Sequence, residues 1–224
     1  LHDDQVSSIF HKFTLDIYDS MKKETVNLSN VEEMGKFEVK SNLFLIENPS
    51  VFHYLVDHLI NYSKENAIPL KLIEDRFPII ICTSGCLRTA VLEFVRKCID
   101  RNSKCRIYFS GDFDRAGIEM LEKLEEYFPQ NVSPFQMNVK TYLSKLNGKC
   151  RELSEKDREL LAEKDSALAK LMASNGKKVY QESIAPDLWE VLLREIQCVE
   201  TVMYQTYAEE ERLMETRKTE IFLS

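Results

Sequence analysis

Two aspartates one residue apart, Asp112 and Asp114, close a short apolar run, Arg106-Ile107-Tyr108-Phe109-Ser110-Gly111. On an extended chain that spacing sends both carboxylates to one side and Phe113 to the other. Two acids so close repel each other unless a positive charge lies between them, and a divalent cation is the usual solution. A plainer reading makes Asp114 the N-cap of a helix opening at Arg115-Ala116-Gly117. A third acid, Glu47, follows the run Leu43-Phe44-Leu45-Ile46 in the same manner. Three acids around one hole suit Mg²⁺, a hard ion that takes oxygen ligands, with Mn²⁺ as a substitute. Such an ion can position a phosphodiester, neutralise its charge and activate a nucleophile. Ser84 and Gly85 follow a further apolar run, Pro78-Ile79-Ile80-Ile81-Cys82. At a helix start their amides could hold a phosphate oxygen; taken alone, the pair reads equally well as a tight turn.

The elements that must position these residues follow from the apolar patterning. Leu43–Ile46, Pro78–Cys82, Arg106–Ser110 and Val132–Met137 read as strands. Helical spacing follows the first three, through Phe52, Leu55, Val56, Leu59 and Ile60, then Leu87, Val91, Phe94, Val95 and Cys98, then Ile118, Leu121, Leu124 and Phe128. Asn48 is placed to cap the first of these helices, with Pro49 at its first position. Strands alternating with helices imply βαβ units and a mostly parallel four-stranded α/β sheet flanked by helices. In such sheets chemistry gathers at the carboxyl ends of the strands. Glu47, Ser84-Gly85 and Asp112/Asp114 all fall there, so three strands deliver polar residues to one edge.

Outside this core, Val6, Ile9, Phe10, Phe13, Ile17 and Met21 have helical spacing, and residues 22–37 read as a connector. Ser154-Glu155-Lys156-Asp157 has the form of a capping box opening a charged helix that carries Leu161, Leu168 and Met172 and ends at Asn175-Gly176. Val179-Tyr180-Gln181-Glu182 reads as a short strand or a turn. Pro186 starts a long helix with Leu188, Leu192, Ile196, Val199 and Met203, extended by a charge-rich tail from Glu209. The expected division is an N-terminal helix and connector over 1–38, an α/β core over 39–145, and a helical extension over 146–224 that completes the domain.

Composition narrows the function classes. With 224 residues, 44% of them hydrophobic, the chain can bury a generous core. A net charge of -7 means that bulk electrostatics alone would not hold nucleic acid. The six cysteines form no CxxC pair and no zinc spacing, and read as reduced, mostly core residues of a cytoplasmic protein. No secretory signal or membrane-spanning run is present, so a membrane is not an expected partner. His11, His53 and His58 lie among polar neighbours and read as surface residues. Because residue 1 is Leu, the expectation is part of a longer protein.

Glu47 behind one hydrophobic strand and Gly111-Asp112-Phe113-Asp114 behind a later one resemble the pattern of the Toprim domain. That domain occurs in type IA and type II topoisomerases, DnaG-type primases and overcoming-lysogenization-defect nucleases. Leu45-Ile46-Glu47-Asn48-Pro49-Ser50, Cys82-Thr83-Ser84-Gly85 and Gly111-Asp112-Phe113-Asp114 resemble more closely the Toprim subunit of Wadjet-type bacterial plasmid-defence systems, itself similar to the A subunit of topoisomerase VI. The resemblance implies a metal-dependent DNA endonuclease working beside the subunits of an SMC-like ATPase complex, with a second copy of the chain as a further candidate partner. It implies Mg²⁺ on Glu47, Asp112 and Asp114, with Glu47 as ligand or general acid/base. Asn48, Ser84, Gly85 and Arg115 are the implied phosphate and DNA contacts, and Glu182, in Gln181-Glu182, is a candidate fourth acid. Cys86-Leu87 stands where the family pattern has Gln-Pro, and Arg115-Ala116 also departs from it. Both departures bear on substrate contacts and leave the carboxylates intact.

Other readings divide on single features. A topoisomerase-like subunit needs a tyrosine nucleophile, which the resemblance puts in another domain. A non-catalytic Toprim module would bind DNA or a partner without needing its acids. A haloacid-dehalogenase-type phosphatase carries its DxD on the first core strand, usually followed by Thr or Val, whereas here it follows the third strand and precedes Arg115. A dinucleotide-binding domain would show GxGxxG after its first strand, and this chain has none there.

Overall fold

The computed structural model describes residues 14–19 and 22–27, as backbone strands, together with 42–68 and 78–197. Their centre is a sheet whose strands are β1 (Thr14–Asp19), β2 (Lys22–Asn27), β3 (Leu43–Ile46), β4 (Ile79–Cys82), β5 (Ile107–Ser110) and β6 (Val132–Pro134). The strand order is β2-β1-β4-β3-β5-β6. The last four are mutually parallel, while β1 runs antiparallel to both β2 and β4. β3 and β4 are buried along their whole length, as parallel strands covered on both faces must be. That accounts for their unbroken apolar runs, where a half-exposed strand would alternate.

Helices α1 (Pro49–Glu65), α2 (Thr89–Arg101) and α3 (Arg115–Tyr127) follow β3, β4 and β5. α1 opens as anticipated, with the Asn48 side chain accepting from the Ser50 amide and Pro49 in the first turn. It buries Phe52, Leu55, Val56 and Leu59. Each such side chain removed from water contributes about 1.5–3 kcal/mol. β3 and β5 are locked in register by the pairing of Phe44 with Tyr108, whose rings stack at 5.0 Å.

Within the parallel set, the chain leaves β3 to form β4 on one side and then returns to form β5 on the other side of β3. This is a topological switch point, where a crevice opens at the carboxyl ends of adjacent strands. Glu47 and the Asp112/Asp114 pair flank that crevice.

Three expectations require correction, the first being the connector over 22–37, of which Lys22–Asn27 is strand β2 of the main sheet. The helix expected over Val6–Met21 is a strand over Thr14–Asp19, paired with β2 residue by residue from Thr14↔Asn27 to Asp19↔Lys22. Thr14-Leu15-Asp16-Ile17-Tyr18-Asp19 also alternates with period two, and an open edge at β4 selects that alternative over the helical one. The part of that expectation before Thr14 lies outside the described residues. The single helix expected after Ser154 is two helices, α5 (Glu155–Ala162) and α6 (Ala167–Asn175), because Ser166 caps a new start. Ser154 does accept from the Asp157 amide, and Gly176 ends α6 in the left-handed conformation (φ 66°).

Between α4 (Val139–Lys145) and α5 lies β7 (Cys150–Glu152), which pairs antiparallel with β8 (Lys177–Val179). A 3-10 turn at Gln181–Ile184 leads into helical residues 185–197, with Pro186 in the first turn. Val199, Met203 and the tail from Glu209 lie outside the described residues. The chain divides into two compact units, Leu1–Trp189 and Glu190–Ser224, so α5, α6 and the β7–β8 hairpin belong to the same unit as the sheet. Among the described residues, no helix is long and apolar enough to cross a membrane.

Candidate active site

Glu47 is the first residue past β3. The Ile46↔Ser110 register sets it beside Gly111, and its amide donates to the Ser110 carbonyl at 3.0 Å. Its carboxylate turns across Gly111 and accepts from the Asp112 amide at 2.9 Å. Gly111 has to be glycine for this geometry, because a methyl group there would overlap Glu47 Oε2 and crowd the Phe109 ring. Gly117 is constrained for a second reason: a Cβ at that position would run into the backbone carbonyl of Asp112. The first turn of α3 is thereby pressed against the acidic loop.

Asp112 and Asp114 point together, while Phe113 is fully buried and packs against Tyr142, as the alternation requires. Phe113 also continues the β7–β8 hairpin. Its amide donates to the Val179 carbonyl at 2.9 Å, and the Val179 amide donates back at 3.4 Å. The Tyr142 hydroxyl donates to the Lys177 carbonyl at 2.7 Å, fixing the hairpin from its other side. Docked in this way, the hairpin places Lys178 Nζ 2.6 Å from both Asp112 Oδ2 and Asp114 Oδ2.

The remaining aspartate oxygens bind backbone. Asp112 Oδ1 accepts from the Gln181 amide at 2.8 Å, and Asp114 Oδ1 accepts from the Gly117 amide at 2.9 Å as the N-cap of α3. Asp114 therefore fulfils the capping role and the charge-pairing role at once, one with each oxygen. Gln181 stitches the site further, since its Oε1 accepts from the Asn48 amide at 2.9 Å. The Asn48 side chain donates to Glu182 Oε1 at 2.8 Å, which sets the candidate fourth acid on the exposed rim beside Glu47.

Burial pushes the Glu47 carboxyl up from its ordinary 4.5 to about 7, reinforced by the charges of Asp112 and Asp114 and opposed by the Asp112 amide and Lys178. A carboxyl so placed can give or take a proton near neutrality. Burial works against the Lys178 charge as well. The bonds to Asp112 and Asp114 outweigh it and hold the ammonium above its ordinary range.

The expected phosphate contacts fare differently. Asn48 sits in the crevice, as described. Ser84 and Gly85 do not open a helix: both have positive φ (51° and 79°), and α2 begins only at Thr89. The Gly85 amide donates to the Glu47 carbonyl at 3.1 Å, so the turn braces the catalytic candidate and leaves that amide engaged. Arg115 is drawn to Asp157 and Glu119, at 2.6 and 2.8 Å, where it ties α3 to α5. Its hydrogen bonds to those carboxylates, Asp157 first, raise its guanidinium above the ordinary range. His58 is occupied away from the acids, its Nδ1 2.8 Å from the Tyr54 carbonyl.

Lys178 and Gln181 were not among the residues singled out by spacing in the acidic motifs. Only the Gln181-Glu182 pairing pointed toward this segment. Among the described residues, no group of three or more His, Cys, Asp or Glu side chains is arranged to hold a metal ion. The donor chemistry of the aspartate pair nevertheless suits a hard divalent cation: Asp112 Oδ2 and Asp114 Oδ2 converge on one point, where they already hold an ammonium as a stand-in positive charge.

The fold and site together define an α/β domain with an acidic, cation-bearing crevice at the switch point of a parallel sheet. A family model described as "Protein of unknown function C-terminus (DUF2399)" matches residues 24–192, a span that includes Glu47, the Asp112/Asp114 pair and the hairpin. The chain belongs to that family. No curated protein matches it.

Proposed function

We propose that this chain is a Mg²⁺-dependent DNA endonuclease of Toprim type, hydrolysing phosphodiester bonds, with Mn²⁺ able to replace Mg²⁺. The observation that carries the reading is that adjacent parallel strands bring the Glu47 carboxylate onto the Asp112 amide while Asp112 and Asp114 share one positive charge, the Lys178 ammonium. Glu47, Asp112 and Asp114 would hold the ion. When bound, it supplies neutralisation of the phosphate charge and activation of a nucleophile. Without the ion Glu47 is raised to about 7; it serves as a ligand when ionised, or as a general acid/base where it keeps its proton and the two aspartates hold the ion. Asn48 and Glu182 line the rim where the substrate backbone would pass. The motif resemblance to the Wadjet-type Toprim subunit extends the reading to a nuclease subunit of a bacterial plasmid-defence assembly with SMC-like ATPase partners. The net charge of -7 supports dependence on partners or ions to hold DNA.

A second reading, a non-catalytic module that binds DNA or a partner, is favoured by Lys178 occupying the space between the aspartates. One experiment decides between them. The full chain is incubated with supercoiled and linear DNA in Mg²⁺, Mn²⁺ or chelator, beside Asp112→Asn. The nuclease reading expects metal-dependent nicking or cutting that falls at least about a hundredfold in the variant. Cleavage by Asp112→Asn at the parent rate would show that the site lies elsewhere. DNA binding without cleavage, unchanged in the variant and in chelator, would establish the module.

A further inference from the structure

All four aspartate oxygens of the acidic pair are engaged, but not equivalently. Asp112 Oδ1 and Asp114 Oδ1 accept from the amides of Gln181 and Gly117, groups fixed in the 3-10 turn and in α3. Asp112 Oδ2 and Asp114 Oδ2 share the ammonium of Lys178, which rides on a flexible four-carbon stem. The ammonium is therefore the one partner of this pair that can withdraw without unfolding an element. In its present position Nζ also lies 4.8 Å from the centroid of the Tyr180 ring, a cation–π contact that favours its staying beside the crevice when the aspartates are taken by another cation. Three carboxylates outnumber one ammonium, so the crevice keeps residual negative charge that an entering divalent ion would neutralise while the lysine stays nearby.

On the reading of the site given above, we infer that Lys178 is a resident cation, displaced from Asp112 Oδ2 and Asp114 Oδ2 when a divalent ion binds and then available to bind a phosphate oxygen of the substrate. In the ion-free state Lys178 balances the paired aspartates and keeps the loop in place. Once displaced, it stays anchored by the hairpin, since Val179 is bonded to Phe113. A compact ammonium held beside the crevice suits a phosphate oxygen, to which lysine binds as a point charge. Lys178 thus acts as a competitor for the metal and as a positioning group for the substrate.

The test measures Mn²⁺ affinity by calorimetry for the wild-type 224-residue chain, Lys178→Met and Lys178→Gln, with folding checked by circular dichroism. Removing the competitor is expected to tighten Mn²⁺ binding about tenfold in Lys178→Met, with Lys178→Gln in between. Cleavage at saturating Mn²⁺ is expected to fall by a similar factor, because the phosphate contact is lost. A measurement on the wild type needs no variant. Acylation of Lys178, followed by mass spectrometry, should be slow without the ion and speed up severalfold when Mn²⁺ is added. Wild-type binding of Mn²⁺ with no tightening in either variant and unchanged Lys178 labelling would overturn the exchange and leave the metal site standing. No Mn²⁺ binding by any of the three proteins would overturn the metal site and the exchange together.

Discussion

At the scale of the residue, Glu47 and Gly111 form one device. The carboxylate lies in space that Gly111 leaves open, and it accepts the amide of the next residue, Asp112. Gly111→Ala should push the flexible end of Glu47 aside and strand that amide. We expect a stability loss of about 1–2 kcal/mol in thermal denaturation and a much larger proportional loss of cleavage. Equal and modest losses in both would mean that Glu47 is only a brace. The raised Glu47 carboxyl also predicts a pH dependence. A carboxyl whose folded value exceeds its unfolded one favours folding while protonated. That contribution is fully present below about 4.5 and is lost as pH rises through about 7. In chelator, Glu47→Gln should therefore stabilise the protein at pH 8 by on the order of 2 kcal/mol and change little near pH 4. Equal unfolding midpoints for variant and parent across that range would rule out a buried, strained carboxylate.

At the scale of the element, the β7–β8 hairpin is part of the acidic crevice although it lies outside the main sheet. It pairs with Phe113 through Val179, carries Lys178 to the aspartates and leads directly into Gln181. Tyr142 secures it from α4 through the Lys177 carbonyl. Tyr142→Phe should cost about 1 kcal/mol and raise hydrogen exchange at the Phe113 amide, which is bonded to Val179. Unchanged protection there would show that the hairpin docks without the tyrosine. The strands β3, β4 and β5 were legible because each is an apolar run broken by polar residues, and the acids were legible because they fall at those breaks. The hairpin was not. Lys177-Lys178-Val179 has no marked period, and its meaning comes from a partner 64 residues away. β1 is ambiguous in the sequence because Phe13, Ile17 and Met21 fit a helix as well as Leu15 and Ile17 fit a strand. Only the vacant edge of β4 decides between the two.

At the scale of the whole molecule, strand order turns a set of motifs into a site. The order β4-β3-β5-β6 makes β3 and β5 neighbours, and no local pattern in the chain specifies that adjacency. With any other neighbour for β3, Glu47 would face a different strand end and the aspartates would stand apart. The same long-range logic governs when the site comes into being. The Asn48–Gln181 bond joins residues 133 apart, and the Gln181–Asp112 bond joins residues 69 apart. Contacts of such separation form late, after loop closure has been compensated by other contacts. A chain still emerging from the ribosome can pair β3 with β5 and bring its acids together before residue 178 has been made. The crevice gains its ammonium and its Gln181 amide only once residues 178–181 have been made, so a chain cut before them keeps the paired aspartates without the partners that hold them.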